Sequence, residues 1–119
     1  MATKTEAELA AAVLRELTVI DASEDPAGSD DETLVIDAYE DKYAELSAPG
    51  LELVYWTMTA IPQAIFTTIR DLIVNEVQGS FGTPLAPADK QAQEEIILRK
   101  LRRHVSVAKS GLPTPAEYF

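Results

Sequence analysis

The sequence predicts a mainly α fold, a small bundle of about four helices with one short extended segment and an extended C-terminal arm. Three observations carry that expectation. Apolar residues recur at three- and four-residue spacing in four separate stretches, the spacing that gives a helix one buried face. Capping residues, prolines and glycines punctuate the chain between those stretches. At 119 residues the chain has room for one core, which buries roughly two thirds of the surface the unfolded chain exposes.

Thr5 and Glu8 stand three apart, as a capping box requires, and Leu9, Val13, Leu14 and Leu17 then recur at helical intervals. The first helix is therefore predicted over residues 5 to 18. Residues 21 to 31 are rich in Asp, Glu, Ser, Gly and Pro without periodicity, and read as an exposed loop. Ser29 and Glu32 offer a second capping box ahead of Leu34, Ile36, Ala38, Tyr39, Tyr43 and Leu46, so a second helix is predicted over 31 to 47, stopped by Pro49-Gly50.

The run from Leu51 to Thr57 alternates and is rich in β-branched and aromatic residues bounded by turn residues, which predicts an extended segment, with one small strand as the form it could take. Pro62 suits the first turn of a third helix, over 61 to 78. Its stripe of Ile61, Ile65, Phe66, Ile69, Leu72, Ile73, Val74 and Val77 makes it the central one, with Gly79 as terminator. Pro87 opens a fourth helix over 87 to 108, in which Ile97, Leu98, Leu101, Val105 and Ala108 form the stripe. Past Gly111, prolines 113 and 115 forbid regular helix, and the arm ends on Tyr118 and Phe119. Two terminal aromatics have too few neighbours to build a core, so they are expected either to dock back or to occupy another subunit. The expected organisation is a helical domain over residues 1–110 and an arm over 111–119.

Composition excludes several functions. With no cysteine there is no thiol nucleophile and no cysteine-ligated metal, and with His104 as sole histidine most histidine-based metal sites are ruled out. No stretch supplies the roughly 20 apolar residues of a membrane span, and the acidic N-terminus forms no secretory signal core, so a cytoplasmic chain without membrane contact is expected. The net charge of −10 opposes general attraction to nucleic acid. That average conceals a polarity. Ten of the twenty acidic residues lie between Asp21 and Glu45, where Lys42 is the only base, and five of the ten basic residues lie between Arg99 and Lys109.

Asp21, Ser23, Asp25, Ser29 and Glu32 occupy positions 1, 3, 5, 9 and 12 of a twelve-residue calcium loop. Pro26 stands where that loop needs its sharp-turn glycine and Gly28 where it needs an apolar residue, so a solvated loop is the expected reading. Adjacent carboxylates such as Asp30 and Asp31 do not face each other on a helix, and no histidine, cysteine or phosphate-binding loop accompanies them. No catalytic, cofactor or metal residue is therefore assigned. Arg99, Arg102 and Arg103 share one helical face. That face is either solvated, with Glu95 able to pair with Arg99, or a docking surface. The acidity of the remaining chain favours an acidic protein partner over DNA.

The order of these features resembles the head-to-tail adaptor proteins of tailed phages: a short first helix, an acidic second helix, an extended aromatic segment, then Ile61-Pro62 opening an apolar helix that closes at Gly79-Ser80-Phe81-Gly82. The similarity is greatest to the tail accessory factor, or head-completion adaptor, below the portal of short-tailed phages, and it runs from about Thr3 to Lys109. The chain departs from the longest of these in its much shorter tail. The resemblance implies a non-enzymatic virion protein without cofactor, assembled as a ring of twelve copies between the portal and a downstream tail protein, with DNA passing through the channel unread. It would make Asp37 and Asp41 on one side, Arg99, Arg102 and Arg103 on the other, and Pro113, Pro115, Tyr118 and Phe119 of the arm, contacts between subunits or with the portal. The alternative from another class is a small acidic helical regulatory or inhibitory protein that binds one host protein.

Overall fold

A computed structural model describes residues 2–21, 23–82 and 85–110, the last four as backbone only. The elements in chain order are β1 (Thr3–Lys4), α1 (Glu6–Glu16), α2 (Asp30–Leu46), β2 (Ile61–Pro62), α3 (Gln63–Val77), a 3₁₀ turn (Gln78–Phe81) and α4 (Pro87–Ser110). The chain is thus mainly helical, as its periodicity predicts. The arm expected over 111–119, with Pro113, Pro115, Tyr118 and Phe119, lies outside the described residues.

Helix α3 is central and packs against α1, α2 and α4. Ile65, Ile69, Leu72, Ile73 and Val77 from α3 meet Leu9, Val13 and Leu14 from α1, Val35, Tyr39 and Leu46 from α2, and Ile97, Leu101 and Val105 from α4 in one buried cluster. Each fully buried Leu or Ile contributes roughly 1.5–3 kcal/mol relative to exposure, so this cluster is what holds the bundle together.

Local chemistry sets the helix ends. The capping box at Thr5 is complete: Glu8 N donates to Thr5 Oγ1 at 3.1 Å and Thr5 N to Glu8 Oε1 at 3.0 Å. Helix α1 stops two residues before the expected end. Val19 N bonds Leu14 O and Thr18 N bonds Arg15 O, a Schellman arrangement with Thr18 at φ 57 in the left-handed position that glycine usually fills. The second capping box is only half made. Ser29 Oγ caps Glu32 N, but Glu32 Oε1 accepts from Gly28 N instead of Ser29 N.

The extended segment expected over 51–57 forms no strand, only an isolated bridge of Thr57 to Ala60 at its end. A strand needs a partner edge, and this segment spends its backbone groups on the end of α2: Leu51 N bonds Ala48 O and Leu53 N bonds Leu46 O, with Gly50 and Glu52 at positive φ. The two-stranded antiparallel pairing instead joins β1 to β2, with Thr3 opposite Pro62 and Lys4 opposite Ile61. Ile61 and Pro62 therefore precede the third helix, and Pro62 is its N-cap rather than its first turn. Past α3 the left-handed residue is Gly82 (φ 87) rather than the expected Gly79, because the chain inserts a 3₁₀ turn before reversing.

Candidate functional site

Helix α2 presents Asp30, Leu34, Asp37, Asp41 and Glu45 along one exposed line, spaced three and four residues apart. Its acidic first turn, Asp30, Asp31 and Glu32, complements the positive N-terminal end of the helix dipole. On α4, Arg99, Arg102 and Arg103 are all exposed on the face turned away from Ile97, Leu101 and Val105. Among the described residues none of these three arginines takes part in an ion pair, and Glu95 does not pair with Arg99. The sequence-derived residues Asp37, Asp41, Arg99, Arg102 and Arg103 thus stand on two separate surface faces of the protomer, which no ion pair joins.

Where the two charged helices do approach, the polarity is inverted. Lys42, the only base of the acidic stretch, is 7% exposed and reaches Glu94 on α4 at 2.8 Å, Glu45 on its own helix at 3.4 Å and Glu76 on α3 at 3.5 Å. Burial pulls its pKa down, but the hydrogen bond to Glu94 and the charges of Glu76, Glu94 and Glu45 outweigh that and raise it. Three helices are tied through one ammonium. The sequence signal was the isolation of Lys42 among ten acids; periodicity alone gives no reason to bury it.

Two further groups carry contacts that helical periodicity does not mark. Tyr39 Oη donates to Met58 O at 2.7 Å and accepts from Trp56 Nε1 at 3.1 Å, while Tyr43 Oη donates to Trp56 O at 2.7 Å. The ring stacks edge-on, with Tyr43 and Trp56 5.9 Å apart at 80°. This network closes the 51–60 segment over α2 and makes Trp56 a core residue, whereas Tyr55 remains exposed. Glu6, in the first turn of α1, has a buried Oε2 without a hydrogen-bond partner. Burial first, and then the neighbouring Glu40 carboxyl, push its pKa up to about 7. Two carboxyls that face each other are compatible only when they share a proton.

The carboxylates of the 21–32 loop serve the loop itself. Asp21 Oδ1 accepts from Ser23 N, Ser23 Oγ and Glu24 N, and Asp25 Oδ1 from Ala27 N. Pro26 is buried in an otherwise exposed segment, and Arg15 Nη2 donates to Glu24 O at 2.9 Å. No cluster of three or more His, Asp or Glu able to hold a metal occurs among the described residues.

A groove of about 340 Å³ opens between α3 and α4, walled by Val74, Leu85, Ile96 and Ile97 with Lys100 at its edge. Leu85 and Ile96 are 40% and 46% exposed, unusual for large apolar side chains that share one groove. Asn75 lines the groove and is itself buried. Its Nδ2 donates to Lys90 O at 3.2 Å, which fixes the amide's orientation and leaves Oδ1 a buried acceptor without a donor.

No known family, curated protein or solved structure matches the chain. Among the described residues no helix is long and apolar enough to cross a membrane.

Proposed function

We propose that the chain is a non-enzymatic structural protein of a phage virion, a head-to-tail adaptor. In this reading twelve copies form a ring below the portal, extend the channel through which DNA passes without sequence-specific contact, and give the downstream tail protein its platform. The observation that carries the reading is the pair of oppositely charged exposed faces, Asp37 and Asp41 on α2 and Arg99, Arg102 and Arg103 on α4, without ion pairs between them. Two complementary faces at different places on one protomer suit a heterologous contact, which repeats head to tail and closes into a ring.

The test is negative-stain imaging of the purified protein mixed with portal rings. Decorated rings are expected with the natural chain, and their loss is expected with Arg102→Glu and Arg103→Glu together. A protein that stays monomeric beside portal rings at every concentration would overturn the adaptor reading. A second reading, a small acidic protein that regulates or inhibits one host protein, is favoured by the regular carboxylate line of α2. It is separated from the first by copy number, one or two copies per partner against a ring.

A further inference from the structure

We propose that α2 of one copy lies parallel and in register on α4 of the next copy, with Leu34 against Ile96, Asp37 facing Arg99 and Asp41 facing Arg103. The inference rests on the ring reading for the presence of a neighbour, and adds the direction and register of the contact. A match between the two helices carries it. On α2 the exposed Leu34 is followed by Asp37 three residues on and Asp41 seven residues on, and on α4 the exposed Ile96 is followed by Arg99 and Arg103 at the same two intervals. Leu34 is 38% and Ile96 46% exposed, and the four charged side chains are exposed and take part in none of the described ion pairs. Spacings of three and then four residues keep side chains on one side of a helix, and form the seam between two helices that cross at about 20°. A single exposed leucine is ordinary on a protein surface. Here each of two oppositely charged lines holds its one large aliphatic side chain at the same place.

What faces what decides the direction and the register. Laid antiparallel about the same Leu34–Ile96 contact, α2 keeps one attraction, Asp31 with Arg99, but sets Asp41 against Asp89 and leaves Asp37 opposite Gln93. Slid one turn toward the C-terminal end of α4, a parallel α2 puts Asp30 on Ile96, and slid one turn the other way it puts Asp37 there. Either slip presses a carboxylate onto an aliphatic side chain, which costs the carboxylate its water. Like faces repel: α2 on α2 meets acid with acid, α4 on α4 base with base, and each copy already carries a net charge of −10. The favoured contact is therefore heterologous, as a ring requires. Its charge pairs stay open to solvent and set register more than strength, so one contact alone is weak and gains from closure of the ring.

The test is charge exchange, read by sedimentation of the full chain alone and by its occupancy of portal rings. Asp37→Arg is expected to weaken association about tenfold, since it turns an attraction into a repulsion. Arg99→Glu in the same chain should restore association to within about twofold, and Arg103→Glu should do the same for Asp41→Arg. The crossed combinations, Asp37→Arg with Arg103→Glu and Asp41→Arg with Arg99→Glu, should weaken it further. Ile96→Ser changes no charge and should lower association about fivefold at any salt concentration, through lost apolar contact. The substituted side chains are all exposed, so circular dichroism should show an unchanged fold. Rescue by crossed and matched combinations alike would mean that bulk charge drives association, and would overturn the helix pairing. Portal rings decorated normally by Asp37→Arg and by Ile96→Ser would sink the pairing and leave the adaptor reading standing. Register-specific rescue in the chain alone, beside portal rings that stay bare, would do the reverse. A chain that remains monomeric both alone and with portal rings would overturn both.

Discussion

Lys42→Met is expected to destabilise the bundle by about 2–3 kcal/mol, a figure built from the partners of the ammonium. Its strongest contact, Glu94 at 2.8 Å, is a charge-assisted hydrogen bond whose acceptor is 29% exposed, and bonds of that kind contribute about 1.5–3 kcal/mol. Glu76 and Glu45 lie farther away and are 34% and 57% exposed, so solvent screening leaves each well under about 1 kcal/mol. Methionine keeps most of the stem's volume, so little packing is lost; what remains is a triad of carboxylates without its counter-ion. At about 4 °C per kcal/mol the melting temperature should fall by about 8–12 °C, read by circular dichroism at pH 7. Glu94→Gln in the Lys42→Met background should recover part of that loss, and the double-mutant cycle isolates the pair. The folded-state pKa of Lys42 is raised above its usual 10.5. Its stabilisation is thus complete below the unfolded value and fades as pH rises through the folded one, so the difference between the two proteins should stay flat from pH 7 to 9 and shrink above 10.5. A loss under about 0.5 kcal/mol at pH 7 would refute the reasoning, for then the ammonium is no better placed in the bundle than in water.

Tyr39→Phe removes the acceptor of Trp56 Nε1 and the donor to Met58 O, and urea unfolding should register a loss of about 1–3 kcal/mol with a shift in tryptophan emission. Glu6→Gln tests the facing carboxyls: because the folded pKa is raised from 4.5 to about 7, the natural protein loses stability as pH rises through that window. The variant should match it near pH 4 and exceed it by about 1 kcal/mol at pH 8, allowing for screening. Equal stabilities at both pH values would remove the pair from consideration. Calorimetric titration of calcium should give no selective micromolar binding at Asp21–Glu32, whose oxygens are engaged in the loop; a selective signal abolished by Glu32→Gln would reverse that.

Four helices and nearly all of the core were legible because each stripe, such as Ile65, Ile69, Leu72 and Ile73, is long enough for its period to be unambiguous. Failures cluster where the deciding partner is distant or where a residue acts against type. Threonine is a poor occupant of the left-handed position, so nothing local marks Thr18 as the end of α1. Alternation from Leu51 to Thr57 describes a strand's faces but not whether an edge exists to pair with, and among the described residues the run finds only the single bridge of Thr57 to Ala60. Glu6 and Glu40 are 34 residues apart in sequence, and only the packing of α1 on α2 brings them together. The charged faces show the opposite case. Arg99, Arg102 and Arg103 fell on one exposed face as their spacing predicts, since a solvent-facing line depends on the helix alone.

Bases within the bundle find partners in their own chain: Lys4 with Glu8, Lys42 with its three glutamates, Arg70 with Glu16 and Asp71, and Arg15 with the Glu24 carbonyl. Lys90, Arg99, Lys100, Arg102 and Arg103, all on α4, take part in none of the described ion pairs. In a chain of net charge −10 the field of the molecule already attracts every base toward a carboxylate. Five cations left without ion pairs on a single helix therefore add little to the monomer and remain available to another molecule's acids. This separates two roles in one experiment. Arg102→Glu with Arg103→Glu should leave the melting temperature of the isolated protein unchanged while abolishing its salt-sensitive assembly, followed by light scattering from low to high ionic strength. A drop in melting temperature comparable to that of Lys42→Met would instead assign the arginines to the protomer's own stability, and the charged faces would lose their claim as an interface.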